Sequence, residues 1–312
     1  MEITYSLEEV HLTRPSHITV GAFDGVHRGH QHLIGAMTQA AHAAGRAAVA
    51  FTFDPHPGAV LGRRSVAALS TIEERATLLE RLGVDLLVVL RFTPAVAGLS
   101  ATHFVGLLRR HLRMVELWAG PDFALGHRRE GDVSFLQRLG EQEGFVVRVV
   151  PPLQWQGGVV SSTRIRAALT AGNIEEANGC LGRPYALTGV VVHGQGLGRS
   201  FGIPTANIEP PAGRLIPANG VYACRADTEQ VTGWPAVVNV GVRPTVTTDG
   251  LAVEAHLLDF AGDLYGQRLR LEFVARLRDE IRFPTVDALL AQVQKDMARA
   301  RMILGLDQTS AA

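Results

Sequence analysis

The stretch Gly21-Ala22-Phe23-Asp24-Gly25-Val26-His27-Arg28-Gly29-His30 decides the architecture of the first half of the chain. It follows an apolar, strand-like run over residues 17–20 and opens into an amphipathic pattern over residues 33–37, so it predicts a strand-to-helix turn. The first amides of a helix lack intrahelical partners and carry partial positive charge, which suits a phosphate group. We therefore expect a nucleotide phosphate to lie against this turn, bordered by Gly21, Phe23, Asp24 and Gly29.

His27 and His30 stand three residues apart across a glycine, so they fall on one side of the first helical turn. Two imidazole donors and unpaired amides suit the charge that builds on an α-phosphate when pyrophosphate leaves. The pair therefore predicts nucleotidyl transfer, with both histidines catalytic. The alternative is that they simply cap or line a turn. A zinc site is disfavoured because the two cysteines, Cys180 and Cys224, are isolated and have no metal-ligand spacing.

Length and composition favour a globular protein of about two domains, with 312 residues and 46% hydrophobic content. Thirty basic and thirty acidic residues give no net charge, so nothing in the balance favours nucleic acid or an anionic membrane as partner. The start of the chain is acidic, no apolar run reaches the length of a membrane span, and two cysteines do not make a disulfide framework. We expect a cytoplasmic protein with small-molecule partners. The oligomeric state stays open.

Apolar, β-rich runs alternate with helical patterns through the first half, which predicts a parallel sheet with helices on both faces. One helix is expected after Ser70, with Ser70 and Glu73 in capping-box spacing, and another near Ser100. Ligands of such sheets bind beyond the carboxyl ends of the strands. The predicted strands are residues 18–21, 47–53, 85–90, 115–119 and 145–150.

The second half changes character near Gly182-Arg183-Pro184-Tyr185, where short β-branched segments punctuated by Gly and Pro begin. Their regular spacing predicts a small antiparallel barrel or sandwich, closed by a final helix over Val286 to Leu304. We therefore expect one domain over residues 1–182 and a second over 183–312. The predicted strands of the second are residues 187–192, 220–225, 236–240, 253–258 and 269–273.

A hydroxyl-rich segment, Ser161-Ser162-Thr163-Arg164-Ile165-Arg166, precedes a helix that ends near Gly172. Three hydroxyls and two arginines at a helix start suit the departing β- and γ-phosphates of a nucleotide. The alternative is an ordinary helix cap with two solvated arginines.

Glycine-rich backbone in the second half leads into a short polar segment, Gly202-Ile203-Pro204-Thr205-Ala206-Asn207. Such backbone approaches phosphates closely, and hard oxygens from Thr205 and Asn207, two residues apart on an extended segment, suit Mg²⁺. Glu254, which shares a strand face with His256, is placed to accept a proton from an attacking hydroxyl. The alternatives are plain turn glycines and a solvent-facing carboxylate. The glycines and the arginine expected to hold phosphate are Gly194, Gly198 and Arg199.

These motifs, taken in order, resemble the bifunctional prokaryotic riboflavin kinase/FAD synthetase family. The resemblance covers nearly the whole chain. It rests on the stretch at 21–30, Thr-Phe-Asp-Pro-His-Pro at 52–57, Gly-x-Asp-Phe at 120–123, Ser-Ser-Thr-Arg-Ile-Arg at 161–166, Leu-Gly-Arg-Pro-Tyr at 181–185, Gly-Ile-Pro-Thr-Ala-Asn at 202–207, Asn-Val-Gly-Val-Arg-Pro-Thr at 239–245 and Glu-Ala-His-Leu-Leu-Asp-Phe with Leu-Tyr-Gly over 254–266.

The resemblance implies a nucleotidyltransferase-type, Rossmann-like α/β domain followed by a Greek-key β-barrel kinase domain. The barrel would use ATP and Mg²⁺ to phosphorylate riboflavin to FMN, and the first domain would join FMN to AMP from a second ATP, giving FAD and pyrophosphate. Flavin binding is implied for Asp122, Phe123, Arg129 and Arg278.

Two other functions remain alternatives, and a departure from the family pattern supports the first of them. Ala124 and Leu125 stand where the family commonly has Arg and Phe. A riboflavin kinase with a weakened or altered nucleotidyltransferase domain is therefore one alternative. A non-catalytic flavin-binding regulator is the other.

Overall fold

The computed structural model describes residues 1–62, 67–194, 198, 201–242 and 251–306. The chain divides into two compact units, Met1–Ser162 and Thr163–Ala312. The predicted domain boundary at residue 183 stays a prediction. None of the described helices is long and apolar enough to cross a membrane.

Unit 1 is built on a six-stranded parallel sheet in the order β1-β4-β3-β2-β5-β8. The five strands predicted from apolar runs are confirmed. The short β1, which pairs with β4 at the sheet edge, was missed because three residues carry no periodic signal. The strands are β1 Glu2–Thr4, β2 Ser16–Val20, β3 Ala47–Asp54, β4 Leu86–Arg91, β5 Met114–Ala119 and β8 Val146–Val149.

Helices cover both faces of this sheet, as the alternation predicts. Successive residues of β3 point to opposite sides: Val49 and Phe51 pack in one cluster with α5 and α6, whereas Ala48 and Ala50 pack in another with α1 and α3. The helices are α1 Arg28–Ala43, α2 Pro57–Val60, α3 Ile72–Arg81, α4 Pro94–Ala97, α5 Ala101–Leu112 and α6 Val133–Glu143. Short two-stranded pairings join β6 Ala124–Leu125 to β7 Gly131–Asp132, and β9 Gln154–Trp155 to β10 Gly158–Val159.

The strand order reverses at β2. From β2 the chain builds β3 and β4 on one side, then returns to place β5 on the other side of β2. Ligands of open parallel sheets bind at such a switch point, outside the carboxyl ends of the two flanking strands. The segments that follow those ends are residues 21–30 after β2 and 120–123 after β5. The topology therefore makes this edge the expected ligand site of unit 1.

The expected capping box of α3 is wrong by one residue. Thr71, not Ser70, is the N-cap, and it exchanges hydrogen bonds with Glu74 rather than Glu73. The Ser70 hydroxyl is engaged elsewhere, because it binds the carboxylate of Asp24. Ser70 is therefore not the cap of α3, because its hydroxyl binds Asp24, which lies 46 residues earlier in the sequence. The helix predicted near Ser100 is confirmed as α5, with Ser100 as its cap.

Unit 2 begins with two helices, α7 Ser162–Thr170, whose first residue closes unit 1, and α8 Ile174–Leu181. They precede a closed six-stranded antiparallel barrel in the order β11-β12-β15-β14-β13-β16. Strands β13, β14 and β15 follow one another, and β12 lies beside β15, which is a Greek-key arrangement. The strands are β11 Tyr185–Val192, β12 Ala206–Glu209, β13 Gly220–Asp227, β14 Trp234–Val242, β15 Leu251–Leu257 and β16 Arg268–Arg278.

Three aromatic side chains fill part of the barrel interior. Tyr185 and Tyr222 both contact Phe273, and all three are at most 2% exposed. The last helix, α9 Val286–Ile303, covers the outside and buries Ala300 among apolar residues of the barrel wall. The barrel and the final helix confirm the predicted fold of the second half. Strand β12 was missed because its first two residues, Ala206 and Asn207, had been interpreted as the end of a ligand-binding segment.

Candidate active sites

The turn after β2 is held in an unusual backbone conformation. Phe23 and Val26 have positive φ angles of 46° and 38°, and Gly25 has a φ of 79°. A positive φ is rare for any residue other than glycine and is a strong outlier for a β-branched one. Two hydrogen bonds hold the turn. The Val26 amide donates to the Phe23 carbonyl at 3.0 Å, and Gln31 Nε2 donates to the Val26 carbonyl at 2.8 Å. Backbone strain that is held in this way is typical of functional sites.

His27 is the N-cap of α1, and this role decides which of its ring nitrogens can donate. The backbone amide of His30 donates to His27 Nδ1 at 3.3 Å, so Nδ1 is an acceptor and the neutral ring carries its proton on Nε2. The two imidazoles stack with their centroids 3.6 Å apart and 17° between their planes. Gly29 leaves room for this arrangement, because a Cβ there would lie 3.2 Å from the His27 ring. The structure thus brings the two predicted catalytic histidines together.

His30 is held as a neutral ring. Burial lowers its pKa well below the ordinary value for histidine, and the neighbouring His27 and Arg75 lower the pKa further. Phe23 contacts the ring edge-on at 5.3 Å. Among the residues that the structure describes, its buried Nδ1 has no hydrogen-bond partner. A buried polar atom left in this state is one that a ligand can satisfy.

Asp24, expected from the sequence to border the phosphate, is instead turned inward. Its side chain is 3% exposed, and its carboxylate accepts hydrogen bonds from the Leu69 and Ser70 amides at 2.9–3.0 Å and from the Ser70 hydroxyl at 3.1 Å. Arg75 lies 3.6 Å away as its ion-pair partner. The Gly25 amide in turn donates to Ser70 Oγ at 2.9 Å. The carboxylate therefore ties the histidine-bearing turn to the start of α3.

Arg75 and Thr52 support the same turn and were not identified from the sequence. Arg75 Nη1 donates to Thr52 Oγ1 at 3.1 Å, and Thr52 Oγ1 donates to the Ala22 carbonyl at 3.1 Å. Arg75 is 5% exposed. One signal was available: Arg75 stands four residues before Leu79, on the apolar face of α3, where a charged side chain needs a buried partner.

The hydroxyl-rich segment lies at the boundary of the two units. In unit 1, Ser162 Oγ donates to the Asp24 carbonyl at 2.9 Å, which places this hydroxyl beside the turn, one residue after Ser161. In unit 2, Thr163 is exposed, and Arg164 Nε binds Glu176 at 2.7 Å. That hydrogen bond raises the pKa of the Arg164 guanidinium. The structure therefore places Ser162 against the β2 turn and gives Arg164 an ion-pair partner on α8.

The residues expected to bind flavin in unit 1 follow β5. Arg129 Nη2 donates to the Asp122 carbonyl at 2.8 Å, and both side chains are exposed. Phe123 is partly buried against the core. Arg129 itself has a φ of 63°. The three predicted residues are thus together on one segment, at the switch-point edge.

In unit 2, Asn207 and Glu254 lie directly abreast on neighbouring strands. The register pairs Asn207 of β12 with Glu254 of β15, and Glu254 with Asn239 of β14. Directly opposed residues of antiparallel strands have Cβ atoms about 4.5–5.5 Å apart. An acidic side chain therefore stands between two amides on one face of the barrel. Asn239 was not among the predicted site residues, although a lone amide within the apolar run Val237-Val238-Asn239-Val240 was a signal.

Two glycines lie against the predicted metal ligands. A Cβ on Gly194 would come within 2.1 Å of Asn207 Nδ2, and one on Gly198 would come within 2.3 Å of the Ile203 carbonyl and 3.4 Å of Thr205 Oγ1. At these contacts a Cβ would force a neighbour to shift, so the backbone of Gly194 lies directly against Asn207 and that of Gly198 lies against the Ile203 carbonyl, near Thr205. The prediction for Arg199 and the motif residues 243–245 fall outside the described residues.

A pocket opens next to Thr205. Its empty volume is about 490 Å³, part of it open to solvent, and its walls combine apolar and polar groups. Tyr265, at its rim, stacks on His193 with ring centroids 3.9 Å apart. This size and lining fit a small molecule. The lining residues are Val191, Pro204, Thr205, Ala206, Ala255, Leu257, Phe260, Gly262, Asp263, Leu264 and Tyr265.

Arg278, expected to bind flavin, is held by an ion pair. Its Nε and Nη2 atoms bind the buried carboxylate of Asp296 on α9 at 2.8–3.2 Å, and its guanidinium lies 5.7 Å from the Phe283 ring centroid. This arrangement fastens the last helix to the barrel. Its role toward flavin stays a prediction.

Comparison with known proteins covers both units. A family model described as FAD synthetase matches residues 10–164, and one described as riboflavin kinase matches residues 181–304. A protein of Pseudomonas fluorescens called bifunctional riboflavin kinase/FMN adenylyltransferase is 40% identical over 94% of this chain and 96% of its own length. A protein of the same description from Escherichia coli (strain K12) is 38% identical over 93% of both chains.

One solved structure is similar to this chain over almost its whole length. It is titled a macrolide-efflux protein from Streptococcus pneumoniae, is 30% identical, and superposes with a TM-score of 0.88 over 96% of this chain and 98% of that one. The activity in that title belongs to that protein. The likeness extends through both units.

Proposed function

The chain belongs to the bifunctional riboflavin kinase/FMN adenylyltransferase family, and we propose that unit 2 carries the kinase site and unit 1 the adenylyltransferase site. The enzyme phosphorylates riboflavin to FMN and adenylylates FMN to FAD, with ATP as the second substrate of both steps. The riboflavin kinase match lies within unit 2, and the FAD synthetase match covers nearly all of unit 1.

In the kinase reaction, Glu254 is the base. Its carboxylate accepts the proton of the terminal ribityl hydroxyl while that oxygen attacks the γ-phosphorus of ATP, and the bond to the leaving ADP breaks. Asn207 and Asn239 flank the carboxylate on the neighbouring strands. Their amide groups restrict where it can point, which serves a base that must meet one hydroxyl.

The residues around Asn207 fit a magnesium ion. Thr205 and Asn207 offer hard oxygen atoms, and the backbone of Gly194 lies close to Asn207 while that of Gly198 lies near Thr205. Mg²⁺ keeps several waters and phosphate oxygens, so it needs few protein ligands. When bound, the ion would neutralise charge on the β- and γ-phosphates.

The pocket beside Thr205 is where we place the nucleotide base. Stacked Tyr265 and His193 give it a planar aromatic rim, and Leu257 and Phe260 give it apolar walls. A purine ring is flat and largely apolar, with polar edges, so it matches this lining. Thr205 lines this pocket, so a nucleotide bound there would lie beside one of the two proposed metal ligands.

In the adenylyltransferase reaction, a phosphate oxygen of FMN attacks the α-phosphorus of ATP, and the bond to the β-phosphate breaks. The attacking oxygen is already ionised, so no strong base is needed. His27 donates from Nε2, and the first amides of α1 add positive potential where charge builds. We assign Ser161, Ser162, Thr163 and Arg164 to the departing pyrophosphate, and Asp122, Phe123 and Arg129 to the flavin.

The partners follow from these substrates. ATP, riboflavin and FMN are small molecules that the cell interior supplies, so we place the enzyme in the cytoplasm, working without nucleic acid or membrane. A pull-down that recovered RNA or lipid with a fixed stoichiometry would contradict this.

The observation that carries the kinase assignment is the Asn207, Glu254 and Asn239 alignment across three strands. The test is to incubate the pure protein with riboflavin, ATP and Mg²⁺ and to separate the flavins by chromatography. We expect FMN and FAD. Riboflavin recovered unchanged would refute the function, whereas FMN without FAD would support a weakened adenylyltransferase.

Variants then test the two sites separately. His27→Ala or His30→Ala is expected to lower kcat for FAD formation by about 10²–10³, the loss for one preorganised donor, and to spare FMN formation. Glu254→Gln is expected to lower FMN formation from riboflavin and to spare FAD formation from added FMN. Equal damage to both reactions from either change would show that the sites are not independent.

A further inference from the structure

His256 lies next to the proposed kinase site without having a role in it so far. It is two residues after Glu254 on β15, so both side chains project from the same face of the strand. Its register partner on β14 is Val237. On the other side, β12 begins at Ala206, which pairs with Ala255, and His256 reaches the segment just before that strand.

The imidazole makes one well-defined hydrogen bond. His256 Nδ1 lies 2.8 Å from the Pro204 carbonyl oxygen. Because a carbonyl oxygen can only accept, Nδ1 carries the proton. The bond is short for an N–H donor to a carbonyl, and it links residues 52 positions apart in the sequence.

The carbonyl that His256 binds belongs to the same peptide unit as the Thr205 amide. The peptide bond is planar, so a hydrogen bond to the Pro204 oxygen fixes the plane that also contains the Cα atom of Thr205. The direction of the Thr205 side chain is set from that atom. One step earlier, the Ile203 amide donates to the Gly198 carbonyl at 2.9 Å. The two bonds hold the segment on both sides of Pro204, immediately before the proposed metal ligand.

We infer that His256 is a positioning residue of the kinase reaction, which orients the Pro204–Thr205 peptide so that the Thr205 hydroxyl faces the magnesium nucleotide. The inference rests on the proposed role of Thr205. It adds a residue that touches neither metal nor substrate. The bond joins the strand that carries the proposed base to the segment that carries the metal ligand, so it fixes the two relative to each other.

Two substitutions separate this role from a general contribution to folding. In His256→Asn, the side-chain amide N–H stands at the δ position, where the imidazole now donates. In His256→Gln, the amide stands one bond further out and misses it. His256→Ala removes the donor altogether. All three use the full-length enzyme, and its FAD formation from added FMN gives an internal reference in each preparation.

The measurement is the rate of FMN formation as a function of Mg²⁺ concentration at saturating riboflavin and ATP. Losing one hydrogen bond of about 1–1.5 kcal/mol corresponds to a factor of about 5–13. We expect His256→Gln and His256→Ala to raise the half-saturating Mg²⁺ concentration by about that factor, with the KM for riboflavin unchanged. His256→Asn is expected to stay within about threefold of wild type, since it keeps the donor.

Several outcomes would overturn the inference. One is an unchanged Mg²⁺ dependence in the Gln and Ala variants, even if their melting temperatures fall. Another is a His256→Asn enzyme that behaves like the Ala variant. Failure of the proposed function is a different result: wild type would make no FMN, or Thr205→Ala would keep the Mg²⁺ dependence of wild type.

Discussion

Replacing Asp24 by Asn tests whether this residue holds the histidine-bearing turn in place or binds nucleotide. The sequence pattern favours nucleotide binding, because Asp24 lies within a phosphate-binding stretch. The structure favours a structural role, since the carboxylate is 3% exposed and faces the Leu69 and Ser70 amides and Arg75. The change keeps the shape of the side chain. It removes the charge and turns one acceptor oxygen into a donor.

The expected loss of stability is set by Arg75, whose charge stays buried after the substitution. Arg75 is 6% exposed at its side chain and would lose its carboxylate partner in the interior. Removing one member of a buried ion pair costs about 3–5 kcal/mol, because the remaining charge is uncompensated. This figure already includes the hydrogen bonds that the Asp24 carboxylate loses, so no separate energy is added for them. For a unit of this size, 1 kcal/mol corresponds to roughly 2–4 °C. We therefore expect Asp24→Asn to lower the melting temperature of unit 1 by about 6–20 °C.

Differential scanning calorimetry of the full-length enzyme, with ATP binding measured by titration at a temperature below both transitions, gives the two readouts. Ser70→Ala is the matched control: it removes one neutral hydroxyl from the same network and is expected to cost about 1 kcal/mol. The reasoning is refuted if Asp24→Asn melts within about 2 °C of wild type while its affinity for ATP falls tenfold or more. That result would show that the Asp24 carboxylate binds the nucleotide.

Three further predictions concern other parts of the chain. The folded-state pKa of His30 is held below its unfolded value of about 6.5, so the stability that this group contributes is present above pH 6.5 and is lost as the pH falls toward the folded pKa. Between pH 7 and pH 5.5 the melting temperature of His30→Gln is therefore expected to fall less than that of wild type. Parallel curves of melting temperature against pH would contradict this. Gly194→Ala would put a Cβ 2.1 Å from Asn207 Nδ2 and is expected to lower FMN formation at least tenfold, with FAD formation from FMN unchanged; normal FMN formation would show that Asn207 can move aside. A fragment of residues 163–312 is expected to melt higher than one of 183–312, because the shorter one lacks both helices that precede the barrel; equal melting by circular dichroism would support the boundary at residue 183 instead.

Most of the fold could be predicted from the sequence because its signals are local. Apolar runs predicted five of the six strands of the unit 1 sheet and five of the six barrel strands, and periodic patterns predicted α1, α3, α5, α7 and α9 but not the other helices. The misses have physical causes. Strand β1 is three residues long, and β12 is a four-residue strand whose Asn207 was assigned to a metal ion instead. Ser70 looked like a cap, but its hydroxyl is occupied by Asp24.

The candidate sites could be predicted in outline only. Residue types and spacing made candidates of His27 with His30 and of Thr205 with Asn207, while Glu254 had the alternative of a solvent-facing carboxylate. Strand register was needed to show that Asn239 stands beside Glu254, because its position depends on how β14 pairs. The inward orientation of Asp24 depends on amides 45 and 46 residues away. Residues a few positions apart can be predicted to lie on one turn, whereas contacts between residues distant in sequence depend on the topology and are found only in the structure.

The strained turn before α1 shows how the fold retains a conformation that its residues disfavour. A positive φ at Val26 costs on the order of 1–3 kcal/mol, and glycine at this position would remove that cost. Val26, however, is 1% exposed and packs in the core beneath α1, where burying a valine contributes about 1.5–3 kcal/mol. The two terms are of similar size, so the side chain offsets the strain that its own backbone creates. Because glycine would give up the packing, the turn keeps a valine that both anchors the loop and precedes His27, the N-cap of α1.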